Sequence, residues 1–175
     1  MKQKRLDLYT VNLKYIRNLS HADDHIFSIS PQTGKSNRPF LGVIVVCGNK
    51  QYCVPLSSPK KKHLKMNNDV DFFKIYAPDG QLIGVLNFNN MIPVRADVIT
   101  KFDLQVHPHD SAAVKHYKHM VINQISFCRK NQDAIVRKAD KLYKMITGGN
   151  ANNLLKKRCC DFKKLESVLD KFNQQ

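Results

Sequence analysis

The chain has 175 residues, 42% of them hydrophobic, and carries 29 Lys plus Arg against 14 Asp plus Glu, a formal net charge of +15. This length predicts one domain, 1–175, and the apolar content excludes a disordered chain. The charge points to a polyanionic partner, nucleic acid ahead of an anionic membrane. The longest apolar run, Phe40–Cys47, is too short to span a bilayer, and the start MKQKRLDLYT lacks a signal-peptide core, which predicts a cytoplasmic location.

Residues 4–11 alternate, with Leu6, Leu8 and Thr10 on one face, and read as a strand. Asn12 caps a short helix through Leu19, with Leu13, Ile16 and Leu19 inward and Tyr15 off that stripe. Residues 21–38, rich in Ser, Pro, Gly and Asn, read as a long loop of the kind that often carries function. Phe40–Cys47 is a strong strand, Gly48-Asn49 a two-residue hairpin turn and 50–56 the returning strand, with Pro55 suggesting an edge or a bulge. Residues 72–76 and 81–87 flank the turn Pro78-Asp79-Gly80 as a second hairpin, and 91–95 is a sixth strand.

The second half has helical spacing. Val114, Tyr117, Val121, Ile125, Cys128, Ile135, Ala139, Leu142 and Ile146 recur at threes and fours with one gap at Gln132. That predicts one long amphipathic helix, or two in line, capped by Asp110 or Ser111 and stopped by Gly148-Gly149. A last helix carries Phe162, Leu165, Val168, Leu169 and Phe172. Strands followed by helices predict an α+β fold with a compact six-stranded, mainly antiparallel, barrel-like sheet and the long helix packed on it.

The stretch richest in chemistry is Ser57-Ser58-Pro59-Lys60-Lys61-Lys62-His63-Leu64-Lys65. Two hydroxyls leave a core strand directly before five basic side chains. Ser58 at an N-cap with Pro59 at the first helical position would make an anion site, beside a bland reading in which Ser58 only caps a turn. Lys60, Lys61, Lys62 and Lys65 suit phosphate contact. Arg38, at the end of the long loop, is placed to reach a phosphate at the mouth of the sheet, and Lys35 lies in the same loop. Tyr9, Tyr15, Phe27, Tyr52, Tyr76 and Phe88 are candidate stacking surfaces for bases.

Metal chemistry finds little support. His107 and His109, and His116 and His119, lack acidic or cysteine partners at ligand spacing. Asp23-Asp24 and Asp69/Asp71 sit in loops without a supporting pattern, so no metal and no other cofactor is expected. The five cysteines (47, 53, 128, 159, 160) contain no CxxC and read as packed free thiols.

These residues resemble the ToxN/AbiQ toxins of type III toxin–antitoxin systems. The resemblance rests on Lys14-Tyr15-Ile16, on Arg38-Pro39-Phe40-Leu41-Gly42 and above all on Tyr52-Cys53-Val54-Pro55-Leu56-Ser57-Ser58-Pro59-Lys60. Gly84 through Val94 (GVLNFNNMIPV) and the helix with Gln124, Phe127-Cys128-Arg129 and 138–143 add to it. It implies a metal-independent endoribonuclease with a sheet like that of the MazF/Kid toxins. It also implies inhibition by a small repeat antitoxin RNA folded as a pseudoknot, which the toxin processes and with which it forms an RNA-bridged hetero-oligomer, in defence against phage.

Carried over along the motif, Ser58 is the key active-site serine, Ser57 its Thr/Ser neighbour, Lys60 and Arg38 the basic residues of the site, and Tyr15 an RNA contact. Lys62 departs from the tryptophan of at least one member, which replaces stacking with a phosphate contact. The expected reaction is attack of the RNA 2′-OH, giving a 2′,3′-cyclic phosphate and a 5′-OH, with Ser58 or His63 handling the proton. Two alternatives stand beside it: a non-catalytic RNA-binding module and a metal-dependent DNA nuclease.

Overall fold

The computed structural model describes residues 2–26 and 40–172. In chain order the elements are β1 (Leu8–Val11), α1 (Leu13–Ala22), β2 (Phe40–Cys47), β3 (Lys50–Ser57), α2 (Lys61–Lys65), β4 (Phe72–Tyr76), β5 (Leu82–Asn87), β6 (Ile92–Val94), β7 (Ile99–Lys101), α3 (Ala112–Lys130), α4 (Gln132–Thr147), α5 (Asn153–Arg158) and α6 (Phe162–Lys171). The fold is α+β, and all strand pairs are antiparallel.

Strand β3 is the hub. Along one edge it pairs with β2, from Cys47↔Lys50 to Gly42↔Pro55. Along the other it pairs first with β6 (Gln51 to Cys53) and then with β5 (Leu56, Ser57). The sheet runs β4-β5-β3-β2-β1-β7 with β6 beside β3. It therefore has seven strands rather than the expected six, and its path ends at β4 and β7 without closing into a barrel among the described residues. The extra strand, Ile-Thr-Lys, is too short to show alternation. Residues 4–7 do not join the ladder as expected. Their backbone is held by side chains instead: Leu6 N–H donates to Gln132 Oε1 (2.8 Å) and Arg129 Nε donates to the Leu6 carbonyl (2.9 Å).

The β2–β3 hairpin is tight for local reasons. Gly48 has φ +61° and no described non-glycine residue has positive φ, the pattern of a type II′ turn with glycine first. Gly42 is needed for close approach, because a Cβ there would lie 2.4 Å from the Val54 carbonyl oxygen. Pro55 corrects the edge-strand expectation, since it sits mid-sheet. Counting alternate bonded and non-bonded pairs from the closing pair Cys47–Lys50 makes Gly42–Pro55 a non-bonded pair. The missing Pro55 donor thus faces away from β2, at the gap where β6 has ended and β5 has not begun.

The helices cover the sheet. α3 packs on β4 and β5, α4 on β2, and α6 on α1 and β6. The long amphipathic stretch is two helices, broken at Asn131 next to the gap in the apolar pattern, and Ser111 Oγ caps α3 at Val114 N. Ile135, Ala139 and Leu142 of α4 are fully buried, as are Phe162 and Leu165 of α6. Each such Leu or Ile contributes about 1.5–3 kcal/mol by burial. All five cysteines are buried and free, and burial pushes the Cys47 and Cys128 thiols up to about 12.

One buried carboxylate joins three elements. Glu166 of α6 accepts from Tyr52 OH (2.7 Å) of β3, Tyr143 OH (2.9 Å) of α4, Lys50 Nζ (3.1 Å) and Lys163 Nζ (3.1 Å). No described helix is long and apolar enough to cross a membrane.

Candidate functional site

Strand β3 ends at Ser57, whose pairing with Val85 of β5 fixes its backbone. Its hydroxyl accepts a hydrogen bond from Asn87 Nδ2 at 3.1 Å, so a third strand residue orients it. Ser58 follows outside the ladder and is exposed, as are Pro59 and Lys60. The two hydroxyls thus leave a rigid, doubly flanked strand at the surface.

The helix after them starts later than the Ser-Pro signal predicts. α2 begins at Lys61 with Lys60 as N-cap (φ −115°, ψ 160°), so Ser58 is not the cap and Pro59 is not the first helical residue. The cap is closed by the helix's own third residue. Lys60 N–H donates to His63 Nδ1 at 2.9 Å, and His63 N–H donates to the Lys60 carbonyl at 2.8 Å. The imidazole thus reaches back to the N-cap N–H as the Glu or Gln of a capping box does, while the second bond is made by the Lys60 backbone carbonyl, since a lysine side chain has no acceptor.

His63 is 6% exposed and its ring packs against Phe72 at 5.2 Å. Burial lowers its pKa first, and the charges of Lys62, Lys60 and Lys74 lower it further. A neutral imidazole has one acceptor nitrogen, and here it is Nδ1, already occupied by Lys60. Nε2 therefore carries the proton, and the ring's one acceptor nitrogen is engaged by the Lys60 N–H.

The platform beneath α2 is pinned from both sides. Lys74 Nζ of β4 donates to the Leu64 carbonyl at 3.1 Å. Arg158 of α5 holds Asp71 at 2.6 Å and Asp69 at 3.2 Å, and Lys138 of α4 donates to the Asp69 and Phe72 carbonyls. The acidic pair Asp69/Asp71 is thereby assigned to structure. Lys61, Lys62 and Lys65 of α2 are exposed, three to seven residues after Ser58 in the chain.

Other expected residues fall elsewhere. Tyr15 is fully buried, its OH donating to the Pro93 carbonyl at 2.7 Å and its ring 5.1 Å from Phe172. It faces the core and offers no surface to RNA, while Leu13, expected inward, is 39% exposed. Tyr52 and Phe88 are likewise fully buried. Phe27, Lys35 and Arg38 lie outside the described residues. His107 stacks on His109, and His107 Nε2 meets Asp103 at 3.0 Å.

Asp23, Asp24 and His25 form the described His/Asp cluster with metal-ligand proximity. Asp23 already accepts from His25 Nδ1 (2.8 Å) and Asp161 N (2.8 Å), and His25 Nε2 meets the Lys157 carbonyl (2.8 Å). It reads as a tie between the end of α1 and the α5–α6 turn. Asn87 and Lys74 were missed as site residues, because the β3–β5 pairing that brings them near skips over β4 and leaves no local mark.

A family model described as Toxin ToxN, type III toxin–antitoxin system, matches residues 7–170. The chain is 31% identical over 172 residues to Endoribonuclease ToxN of Bacillus thuringiensis subsp. kurstaki, covering 95% of this chain and 84% of that protein. It superposes with a TM-score of 0.78 and 28% identity on a toxin from a type III system in which a non-coding RNA pseudoknot inhibits the toxin selectively, covering 98% and 100% of the two chains. It also shares the fold of AbiQ, a lactococcal anti-phage endoribonuclease of a type III system (TM-score 0.79, 21% identity, 95% and 97% covered). With a match over nearly its whole length, the chain belongs to the ToxN toxin family of type III toxin–antitoxin systems.

Proposed function

We propose that this protein is a metal-independent endoribonuclease, the toxin of a protein–RNA toxin–antitoxin pair. The observation that carries the site is the pair of hydroxyls at the end of β3, Ser57 oriented by Asn87 and Ser58 exposed, followed by a clasped Lys60 and an exposed basic turn. RNA brings its own nucleophile in the 2′-OH. A protein that aligns it with the phosphorus and neutralises the charge that develops needs no metal for the step.

In this reading Lys60 and Arg38 stabilise the phosphorane, and each such donor contributes roughly a hundredfold or more in rate. Ser58 positions the 2′-OH; as the new O–P bond forms and the bond to the 5′-oxygen breaks, the 2′-OH proton passes through the Ser58 hydroxyl to solvent and the 5′-oxygen takes a proton from solvent, with the adjacent lysines stabilising the charge. Ser57 fixes the geometry. Lys61, Lys62, Lys65 and Lys35 hold the backbone phosphates. The kinship with the MazF/Kid sheet belongs to the same reading and is supported by the antiparallel strands and their helical cover.

The partner is a small repeat RNA folded as a pseudoknot, which the toxin processes and which inhibits it in an RNA-bridged complex; cellular and phage RNAs are the substrates, in the cytoplasm. The family membership and the +15 charge support this. The test is cleavage of RNA in EDTA with analysis of the product ends. A 2′,3′-cyclic phosphate and a 5′-OH are expected, and a 2′-deoxy sugar at the cut site should block the reaction. Tight binding without cleavage of any RNA would return the protein to a binding module.

A further inference from the structure

We propose that His63 is a positioning residue whose Nδ1 lone pair clasps the Lys60 N–H and so holds the Ser58–Lys60 segment in its working geometry. The inference rests on the functional reading above and adds to it a part played by no proton transfer. Three contacts define the clasp: Lys60 N–H to His63 Nδ1 at 2.9 Å, His63 N–H to the Lys60 carbonyl at 2.8 Å, and the His63 ring against Phe72 at 5.2 Å.

The clasp matters because α2 has only five residues. A helix this short does not hold itself. The chain between the end of β3 and α2 is Ser58-Pro59-Lys60, without a ladder partner. The reciprocal bonds fix the last of these residues to a ring that is itself anchored in the core. Phe72, the anchor, begins β4, and its backbone is held by Lys138 and by the Arg158–Asp71 pair next to it. The line of support thus runs from α5 and α4 through β4 and the imidazole to the backbone of Lys60.

An imidazole in this place also makes the clasp acid-sensitive. Protonation at Nδ1 turns the acceptor into a donor facing another donor, and the bond to Lys60 is lost. The charged groups facing the ring are Lys60 and Lys62 on its own segment and Lys74 on β4. With burial, all three disfavour the imidazolium. The free side chain titrates near about 6.5, and the folded value lies below it. The clasp is therefore fully present above the ordinary histidine value and is lost as pH falls through the folded one.

The experiment compares wild type, His63→Asn and His63→Leu as full chains. Asn keeps an acceptor oxygen at the place of Nδ1 and does not titrate; Leu keeps bulk and loses the acceptor. Single-turnover cleavage of a labelled RNA oligonucleotide in EDTA is measured from pH 5 to 8, with RNA affinity and with hydrogen exchange at the Lys60 amide. H63L should lose roughly thirtyfold or more in rate with affinity within about threefold, and its Lys60 amide should exchange freely. H63N should restore most of the rate and protection, and lack the acid-side fall shown by wild type.

Equal loss in H63N and H63L with the Lys60 amide still protected would overturn the proposal in favour of proton transfer by the ring. Wild-type rate in H63L would overturn it outright. If H63L does not fold, the pH profiles of wild type and H63N decide alone: coincident profiles refute the clasp. The exchange measurement needs no RNA. A protected Lys60 amide in a protein that cleaves no RNA would overturn the functional reading and the catalytic half of this inference, whereas cleavage with an unprotected amide would overturn only the clasp.

Discussion

At the scale of single residues, the proposed site separates exposed groups from groups that are held by their neighbours. Ser58 and Lys60 are exposed; Ser57 is tied to Asn87, and His63 is turned inward. Tyr15 belongs to neither set of the site's groups and lies in the core against Pro93 and Phe172. Removing its hydroxyl breaks the bond to the Pro93 carbonyl. Tyr15→Phe should cost about 1 kcal/mol in chemical denaturation, leaving RNA affinity within about twofold. A large loss of affinity at unchanged stability would restore Tyr15 as an RNA contact. The exposed position of Ser58 and Lys60 at the end of a core strand was readable because hydroxyls and lysines follow that strand directly. The burial of Tyr15 was not, because its partners, Pro93 and Phe172, lie far along the chain; they add Tyr15 to the buried Ile16–Leu19 face and leave Leu13 partly exposed.

At the scale of elements, the sheet and helices meet at Glu166. Burial opposes its charge, but donation by Tyr52, Lys50, Tyr143 and Lys163 outweighs it and takes its pKa down to about 2. A carboxylate depressed in this way stabilises the fold fully above its ordinary value of 4.5 and loses that contribution as pH falls through about 2. Glu166→Ala leaves the buried Tyr52 hydroxyl without its acceptor, while the partly exposed Lys50 and Lys163 can turn to solvent, and should destabilise by about 1–3 kcal/mol at neutral pH, read by denaturant midpoint. An unchanged midpoint would show that α6 is held by its apolar face alone. The element pattern was largely legible: the hairpins and the Asn12 and Ser111 caps follow local turn and capping residues, and the apolar faces of α4, α6 and the later turns of α3 follow local periodicity, whereas Val114 and Tyr117 at the start of α3 are exposed. What escaped was short or non-local. β7 has three residues, α5 six, and the mid-sheet place of Pro55 depends on which strands flank β3 at that point.

At the scale of the molecule, a net charge of +15 gives a general attraction for polyanions, and the proposed site adds the basic helix α2 to it. Lys61, Lys62 and Lys65 are exposed on one short turn beside Ser58. Their joint replacement by Ala should flatten the dependence of log affinity on log salt by about 2, since each single-strand phosphate contact contributes about 0.7. The cleavage rate at saturating protein should hold to within about threefold. A large fall in that rate would move these lysines from holding RNA into the reaction itself. The measurement that bears most directly on the account is single-turnover RNA cleavage in EDTA by wild type and Ser58→Ala, with stability checked in parallel. The expected result is cyclic-phosphate products from wild type and loss of at least roughly a hundredfold in rate for a folded S58A with RNA affinity intact. Full activity of folded S58A, or activity of wild type only with added metal, would contradict it.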